Sequence, residues 1–259
     1  MTTCSGTEVS RLSAPVAVPQ RPGEVPQLAV TSAELRQLSA FLDGAIMDAG
    51  VRHQLWRGWG LCPRHSWAYV LIEIERAGGR PFSATILLED LLARAVHRVR
   101  VSPTARLVVR GLRSRGSCVT CDYVAISGRA ASRTEPGDPV ALELLDLHRS
   151  SALLRESWSL LQTVVCADCG AGTGPACRLH LLRGGALRSR AELSQYLDEL
   201  HARVAMFLRS MTWRGPEVGP AEESSWVEAM GWFYGWAVVL AVTTQPTGGE
   251  EMQGASDRL

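Results

Sequence analysis

The sequence predicts an all-α protein, a helical bundle with zinc-binding loops, on the strength of three observations. Apolar residues recur at the three- and four-residue spacing of helices in six segments. No segment of comparable length alternates with period two, as a half-buried strand would. Six of the seven cysteines lie in C-x2-C or C-x2-H pairs, which is the spacing of metal ligands in loops.

The six predicted helices follow one another along most of the chain. Thr31 and Glu34 form a capping box at the start of the first, Pro63 comes just before the second, and Gly78 ends the second. The helices are predicted over residues 31–50, 64–78, 83–99, 139–164, 190–211 and 222–241. Residues 107–109 and 123–126 have the composition of short strands.

The chain divides into one helical domain, residues 30–244, and two ends. Residues 1–29 are rich in Pro, Ser, Thr and Val without periodicity, and residues 245–259 are Gly-rich and acidic, so both ends are expected to be flexible. The N-terminus lacks the charged start and apolar stretch of a secretory signal. The apolar residues 229–242 fall short of the roughly 20 that cross a bilayer. We therefore expect a cytoplasmic protein that does not enter a membrane.

Composition excludes several kinds of function. All 27 basic residues are Arg, so chemistry that needs a lysine amine is excluded, including Schiff bases, pyridoxal phosphate and the P-loop. The net charge of +1 gives no overall field for nucleic acid or membrane. Residues 98–115 contain six arginines and no acidic residue, which suits phosphate contacts on nucleic acid. The near-zero net charge favours a solvated loop instead, and no base-stacking aromatic lies in this segment.

Four pairs of residues supply enough ligands for two metal sites. A two-residue gap lets both members of a pair turn toward one ion, and two pairs fill the four tetrahedral positions that Zn²⁺ prefers. In a reducing compartment these cysteines are poor candidates for disulfides. The predicted zinc ligands are pair 1 (Cys62 and His65), pair 2 (Cys118 and Cys121), pair 3 (Cys166 and Cys169) and pair 4 (Cys177 and His180).

The sequence allows two ways of combining these pairs. Pairs 3 and 4 form a self-contained knuckle whose glycines supply unusual backbone angles, and pairs 1 and 2 then combine over a long range. An internal duplication favours the other combination, because residues 60–68 and 175–183 are similar blocks that each follow an amphipathic helix. Pair 2 then joins pair 4, and pair 3 joins pair 1. Cys4 is either the remnant of a lost C-x2-C or an isolated cysteine.

Several stretches resemble an uncharacterised bacterial family of Cys/His-rich, mostly helical proteins. They are GLCPRHSWAYVL and SATILLEDLLARA, followed by CVTC and CRLHLLR, and the likeness covers roughly residues 32–185. Members carry a C-x2-C, a G-[FL]-C-x-R-H-[AS]-W block, an L-x-E-D-L-L helix, a second C-x2-C and a final C-x2-H. This chain lacks the first C-x2-C and has pair 3 in addition. The resemblance implies the helical fold and the metal ligands, and brings no established activity.

The function depends on whether each site is closed. Four protein ligands make a zinc site structural, and we expect a non-catalytic zinc-binding protein that acts through a macromolecular partner. If pair 2 does not reach pair 1, an open zinc site at pair 1 makes the protein a metal-dependent enzyme. The nearby acidic residues that can serve as its general base are Glu73, Glu75, Glu89 and Asp90. A thiol-based metal or redox sensor is a third alternative.

Aromatic residues near the C-terminus are the other candidate for contact with a partner. They either pack in the core, the commoner outcome, or form a surface for a protein partner or a homodimer. The cluster comprises Trp226, Trp232, Phe233, Tyr234 and Trp236. The histidines outside the pairs are expected to be surface or satisfied core residues: His53, His97, His148 and His201.

Overall fold

The computed structural model describes residues 30–131, 148–170, 172–184, 187 and 189–244. Over these ranges helices follow one another without any β-strand, and the single β-bridge joins Cys166 to Gly174. The predicted all-α class is confirmed. The predicted flexible ends, Cys4 and the first part of the fourth predicted helix lie outside the described residues.

The helices of the described ranges are numbered here in chain order. They are α1 Ser32–Leu42, α2 Ala49–Gly58, α3 Pro63–Ala77, α4 Phe82–Val101, α5 Ala105–Gly111, α6 Val119–Ala131, α7 His148–Leu161, α8 Arg178–Leu182, α9 Arg190–Ser210, α10 Pro220–Glu223, α11 Ser225–Tyr234 and α12 Ala237–Thr244. A 3₁₀ turn, Ala45–Met47, lies between α1 and α2. The predictions for α3, α4 and α9 agree with these bounds to within two residues at each end.

The first predicted helix is divided in two. The capping box is present as expected, with Thr31 N donating to Glu34 Oε2 over 2.7 Å and Glu34 N donating to Thr31 Oγ1 over 3.2 Å. The helix then stops near Gly44, which has a φ of 117°, and Asp48 caps a new helix by accepting from Val51 N. The prediction of one helix over residues 31–50 is wrong because these local signals outweigh the apolar spacing.

The structure also differs from the predictions at the last helix and at the two short strands. The last predicted helix breaks into α10, α11 and α12, and the break between α11 and α12 falls at Gly235, which has a φ of 88°. The short strands predicted at residues 107–109 and 123–126 are wrong, because these residues lie within α5 and α6. Thr104 caps α5 by accepting from Leu107 N, so a local start signal decides in favour of a helix there.

The core lies where α3, α4 and α9 pack around α11. The C-terminal aromatic cluster belongs to this core: its five side chains are buried, and the rings of Trp232 and Phe233 meet edge to face at 4.8 Å between centroids. The prediction that these aromatics pack in the core is confirmed. Among the described helices, none is long and apolar enough to cross a membrane.

Core packing also places the loops that hold the cysteines. Tyr234, at the end of α11, donates a hydrogen bond from its hydroxyl to the carbonyl of Trp59 over 3.1 Å. Gly60 follows at a φ of 86°, and a Cβ at this position would lie 1.9 Å from the Tyr234 oxygen. This close approach fixes the loop between α2 and α3, which leads directly into Cys62.

Candidate metal centres

The eight predicted ligands meet in two groups of four. Site 1 consists of pairs 1 and 2, and site 2 consists of pairs 3 and 4. Within each group the four ligand atoms lie within 4.8 Å of one another. The structure therefore has the combination with a self-contained knuckle, and the combination suggested by the duplication is wrong.

The distances in site 1 are those of a tetrahedron. His65 Nδ1 lies 3.3 Å from Cys62 Sγ and 3.4 Å from the sulfurs of Cys118 and Cys121. The sulfurs of Cys62 and Cys121 are 3.9 Å apart. In a tetrahedron, bonds of about 2.3 Å from zinc to sulfur and about 2.0 Å from zinc to nitrogen place nitrogen about 3.5 Å from each sulfur and the sulfurs about 3.8 Å from one another. The group therefore has the dimensions of a tetrahedral metal site.

Site 2 has nearly the same dimensions. His180 Nδ1 lies 3.4 Å from the sulfurs of Cys166 and Cys177 and 3.3 Å from that of Cys169. The sulfurs of Cys169 and Cys177 are 3.7 Å apart. Both sites thus place one imidazole nitrogen and three sulfurs around a common centre.

Neither disulfides nor hydrogen bonds explain this arrangement. A disulfide needs sulfurs about 2.05 Å apart, and all six of these cysteines are free. One imidazole Nδ1 has a single proton at most, yet in each site it lies 3.3 to 3.4 Å from three sulfurs. A cation at the centre would satisfy all four atoms at once, so both sites can hold a metal ion.

The C-x2-H pairs owe their geometry to the start of a helix. Cys62 and Cys177 are the N-cap residues of α3 and α8, and both have a φ of −68° and a ψ of 161°. The histidine of each pair is the third residue of its helix, where its side chain returns toward the N-cap. The similar blocks seen in the sequence therefore share a local structure, although they belong to different sites.

Pair 2 also lies at the start of a helix. Cys118 precedes α6 and accepts a hydrogen bond from Asp122 N at its carbonyl over 2.9 Å, and Cys121 is the third residue of that helix. The N-termini of α3 and α6 therefore both face site 1. The positive ends of these helix dipoles favour the thiolate form of its cysteines.

Pair 3 lies in a tight turn, and the chain before α8 packs against the start of that turn. Cys169 N donates to the Cys166 carbonyl, and Gly174 N donates to the Val165 carbonyl, both over 2.9 Å. A Cβ on Gly174 would lie 2.2 Å from the carbonyl oxygen of Val164. Gly174 has no positive φ, so the expectation that knuckle glycines supply unusual angles is wrong here: this glycine permits close approach of two backbone segments.

A buried carboxylate holds the histidine of site 1. His65 Nε2 lies 2.9 Å from Glu34 Oε1, and Glu34 is only 4% exposed. The guanidinium of Arg64 and the backbone N–H of Thr31 donate to the same carboxylate. Burial raises the pKa of Glu34, but the hydrogen bonds from Arg64, Thr31 and His65 outweigh it and lower the pKa overall. A carboxylate that accepts from Nε2 leaves Nδ1 free to bind a metal.

Sequence reasoning identified Glu34 only as part of a capping box. Glu34 stands 31 residues before His65, and no spacing rule connects the two. Only the packing of α1 on α3 brings them together. Within the described part of the chain, no carboxylate holds His180 of site 2 in this way.

The charges in site 1 show what a cation would change. Burial lowers the pKa of His65, but hydrogen bonds to Cys118 and Cys62 outweigh it and raise the pKa to about 10. The pKa of Cys118 is lowered by hydrogen bonds from Cys121 and Cys62, while that of Cys121 is raised by its hydrogen bonds to Cys118 and Cys62, by burial and by the charge of the neighbouring sulfurs. Three thiolates therefore do not coexist without a cation, and metal binding must release protons.

The acidic residues considered as a general base have structural partners. Glu73 accepts from Ser83 N and Ala84 N at the start of α4, and Glu75 accepts from Ser150 N. The other two are in ion pairs, Glu89 with His201 and Asp90 with Arg52. Pair 2 also reaches pair 1, so the condition for an open site at pair 1 is not met.

The histidines outside the two sites agree with their expected roles where the structure describes them. His53 and His97 are exposed, and His201 makes its ion pair across α9 and α4. The side chain of His148 lies outside the described residues.

Fold and sites together define a class: an all-α chain with two Cys₃His groups that can each hold a metal ion. Comparison with known proteins gives no match, neither to a family model nor to a curated protein or a solved structure. The resemblance to the bacterial Cys/His-rich family stays a prediction.

Proposed function

We propose that this is a non-catalytic zinc-binding protein whose two metal sites fix a set of helices for contact with a macromolecular partner. The observation on which this depends is the tetrahedral arrangement of three sulfurs and one nitrogen at each site. Thiolate and imidazole ligands in a tetrahedron suit Zn²⁺, because its filled d shell imposes no other coordination geometry.

The number of protein ligands favours a structural role. Four side chains complete the coordination of a tetrahedral zinc and leave no position for water or substrate. Site 1 then joins the starts of α3 and α6, and Glu34 connects it to α1. Site 2 closes the segment between α7 and α8, with the Cys166 and Cys177 side chains in the core.

Metal content of purified protein tests this proposal. We expect two zinc ions per chain in the wild type and one in each of Cys62→Ala and Cys177→Ala. Cys4→Ala is the matched control, because it makes the same chemical change outside the eight ligands, and it should retain both ions. X-ray absorption at the zinc edge should give three sulfur neighbours and one nitrogen.

Two outcomes would contradict the proposal. If the wild-type protein is folded but contains no transition metal, the proposal that it has zinc sites is refuted. A zinc with fewer than three sulfur neighbours and a bound water would instead favour the metal-dependent enzyme, because catalysis needs an open position.

A thiol-based sensor at site 1 is a second candidate, and one observation favours it. The Cys121 side chain is exposed, whereas Cys166 and Cys177 of site 2 are buried. Exposed thiolates exchange metal and oxidise more readily than buried ones. Mild peroxide should then release zinc from site 1 alone, and a thiol reductant should restore it; release from both sites together, or from neither, would exclude a sensor of this kind.

A further inference from the structure

A buried arginine, two of whose nitrogens have no hydrogen-bond partner among the described residues, lies just before the basic segment, residues 98–115. Arg94 of α4 is 7% exposed, and its guanidinium carbon lies 4.0 Å from the ring centroid of Trp56 and 3.7 Å from that of Trp59. Its Nε and Nη1 atoms are buried and have no partner among the described residues. Aromatic rings satisfy the face of a guanidinium, but its N–H groups point outward in its plane and need acceptors.

The charges around Arg94 are positive. Burial and the neighbouring guanidiniums of Arg98, Arg178 and Arg115 lower the pKa of Arg94 to about 10, which leaves it charged at neutral pH. Within the described ranges, no carboxylate forms an ion pair with any of these four arginines. A buried cation among other cations is costly unless an anion joins it.

Hydrogen bonds fix the residues around the arginine cluster, which consists of Arg94, Arg98, Arg115 and Arg178. Trp59 has a φ of 59°, rare for a residue with a side chain, and its indole N–H donates to the Arg113 carbonyl over 3.2 Å. Arg178 donates from Nε to the Leu112 carbonyl and from a terminal nitrogen to Ser114 Oγ, both over 2.9 Å. The loop that leads to Arg115 is therefore fixed before any ligand arrives, and strained backbone of this kind is frequent at binding sites.

The cluster is open to solvent at one edge. Arg115 is exposed and Arg98, one helical turn after Arg94, is half-buried. Trp56 is 40% exposed, so α2 supplies the aromatic side chain that residues 98–115 lack in the sequence. Guanidiniums beside an exposed indole ring suit a phosphate group attached to an aromatic base.

We propose that Arg94, together with Arg98 and Arg115, binds the oxyanion of a phosphate group, either free phosphate or the phosphodiester of a nucleic acid. Phosphate is favoured over a carboxylate because its several oxygens and greater charge match more than one guanidinium. The inference rests on the proposed function in one respect, since the loop that positions Arg115 ends at Cys118 of site 1.

Calorimetric titration of the full-length, zinc-loaded protein with inorganic phosphate tests this site, with ionic strength held constant by chloride. The wild type should bind one phosphate, and Arg94→Met should weaken binding by about 10- to 100-fold, the usual effect of a charged hydrogen bond. Arg94→Lys should fall between them, because it keeps the charge and loses the planar fork. Arg106→Met, an exposed arginine on α5, is the control of equal charge and should bind as the wild type does.

A second variant and a second ligand complete the test. If Arg94→Met does not fold, Arg115→Met takes its place, because that side chain is exposed. A labelled single-stranded oligonucleotide that binds, weakens with salt and competes with phosphate identifies a nucleic-acid phosphodiester; binding of phosphate alone identifies the free anion.

The site is overturned if phosphate gives no more heat than chloride, or if Arg94→Met and Arg106→Met lose equal affinity. Zinc content, measured on the same samples, separates this result from the proposed function. Protein that binds phosphate but contains no zinc would refute the metal sites and leave the anion site standing.

Discussion

Sites 1 and 2 have the same ligands and nearly the same dimensions, but the chain builds them differently. In site 2 the most distant ligands are 14 residues apart, whereas Cys62 and Cys121 of site 1 are 59 residues apart. Closing the longer loop costs about 1 kcal/mol more in chain entropy. Site 1 has the Glu34 carboxylate behind its histidine, and site 2 has a tight glycine turn instead.

This difference shows two ways of orienting one set of ligands. A short loop with few backbone conformations fixes site 2 locally, so that its geometry needs little help from the rest of the fold. Site 1 gathers side chains from separate helices and needs hydrogen bonds beyond the ligands to orient them. We expect the geometry of site 1 to depend on the tertiary structure, and that of site 2 to depend mainly on its own segment of the chain.

Removal of both metals should have the largest effect. Structural zinc contributes about 10 kcal/mol or more to the folding of small domains, which is comparable to the whole stability of an average protein. We expect a strong chelator to abolish the cooperative thermal transition, measured by circular dichroism. Zn²⁺ should restore the transition and Mg²⁺ should not; an unchanged transition after verified metal removal would contradict the structural role.

Loss of site 1 and loss of site 2 should speed amide hydrogen exchange in different parts of the chain. In Cys118→Ala we expect faster amide hydrogen exchange in α1 and α6, because α6 packs on α1 and α2 and is fixed at its start by site 1. In Cys166→Ala the faster exchange should instead be greatest in residues 162–182. Cys4→Ala again serves as control, and the same exchange pattern in both site variants would show that the sites do not differ in this way.

The glycine turn should matter chiefly for site 2. In Gly174→Ala the new Cβ would lie 2.2 Å from the Val164 carbonyl oxygen, so the knuckle must open and its zinc affinity should fall. Gly116→Ala, just before site 1, is the matched control because a Cβ there has no atom within 4 Å. Competition with a chromophoric chelator measures both affinities, and equal effects of the two variants would argue against close approach as the reason for Gly174.

The smallest effect is expected from Glu34→Gln. This change keeps an acceptor for His65 and removes the charge, and losses of such outer hydrogen bonds typically cost about 10- to 100-fold in metal affinity. Zinc at site 2 provides the internal control and should bind as before. Thr31→Ala breaks the capping box but leaves the carboxylate on His65; an equal loss of affinity in this variant would mean that the cap, and not the carboxylate, supports site 1.

The sequence was most informative where geometry is local. The C-x2-H pairs could be recognised because an N-cap residue and the third residue of a helix face each other in any helix that starts this way. The all-α class followed from apolar spacing for the same reason. Breaks at Gly44 and Gly235 were missed because apolar residues continue at helical spacing across both.

The rest depends on contacts between distant parts of the chain. Which pairs share a site follows from where α6 packs, and nothing in the spacing of the pairs encodes that position. The same is true of the contact of Glu34 with His65 and of the contacts of Arg94 with Trp56 and Trp59. The basic segment was visible in the sequence. The buried Arg94, however, precedes that segment, and the aromatic neighbours of Arg94, Trp56 and Trp59, come still earlier in the chain, before Cys62.

Arg178 has a consequence for the order in which the chain takes up its metals. It directly follows Cys177 of site 2, and its hydrogen bonds end on Leu112 and Ser114, shortly before Cys118 of site 1. An ion in site 2 would fix Arg178 and its hydrogen bonds to Leu112 and Ser114. Those bonds would in turn hold Cys118 in position for site 1. We expect uptake of the two ions to be sequential and cooperative in the wild type and independent in Arg178→Met, which a stepwise zinc titration followed by mass spectrometry would reveal.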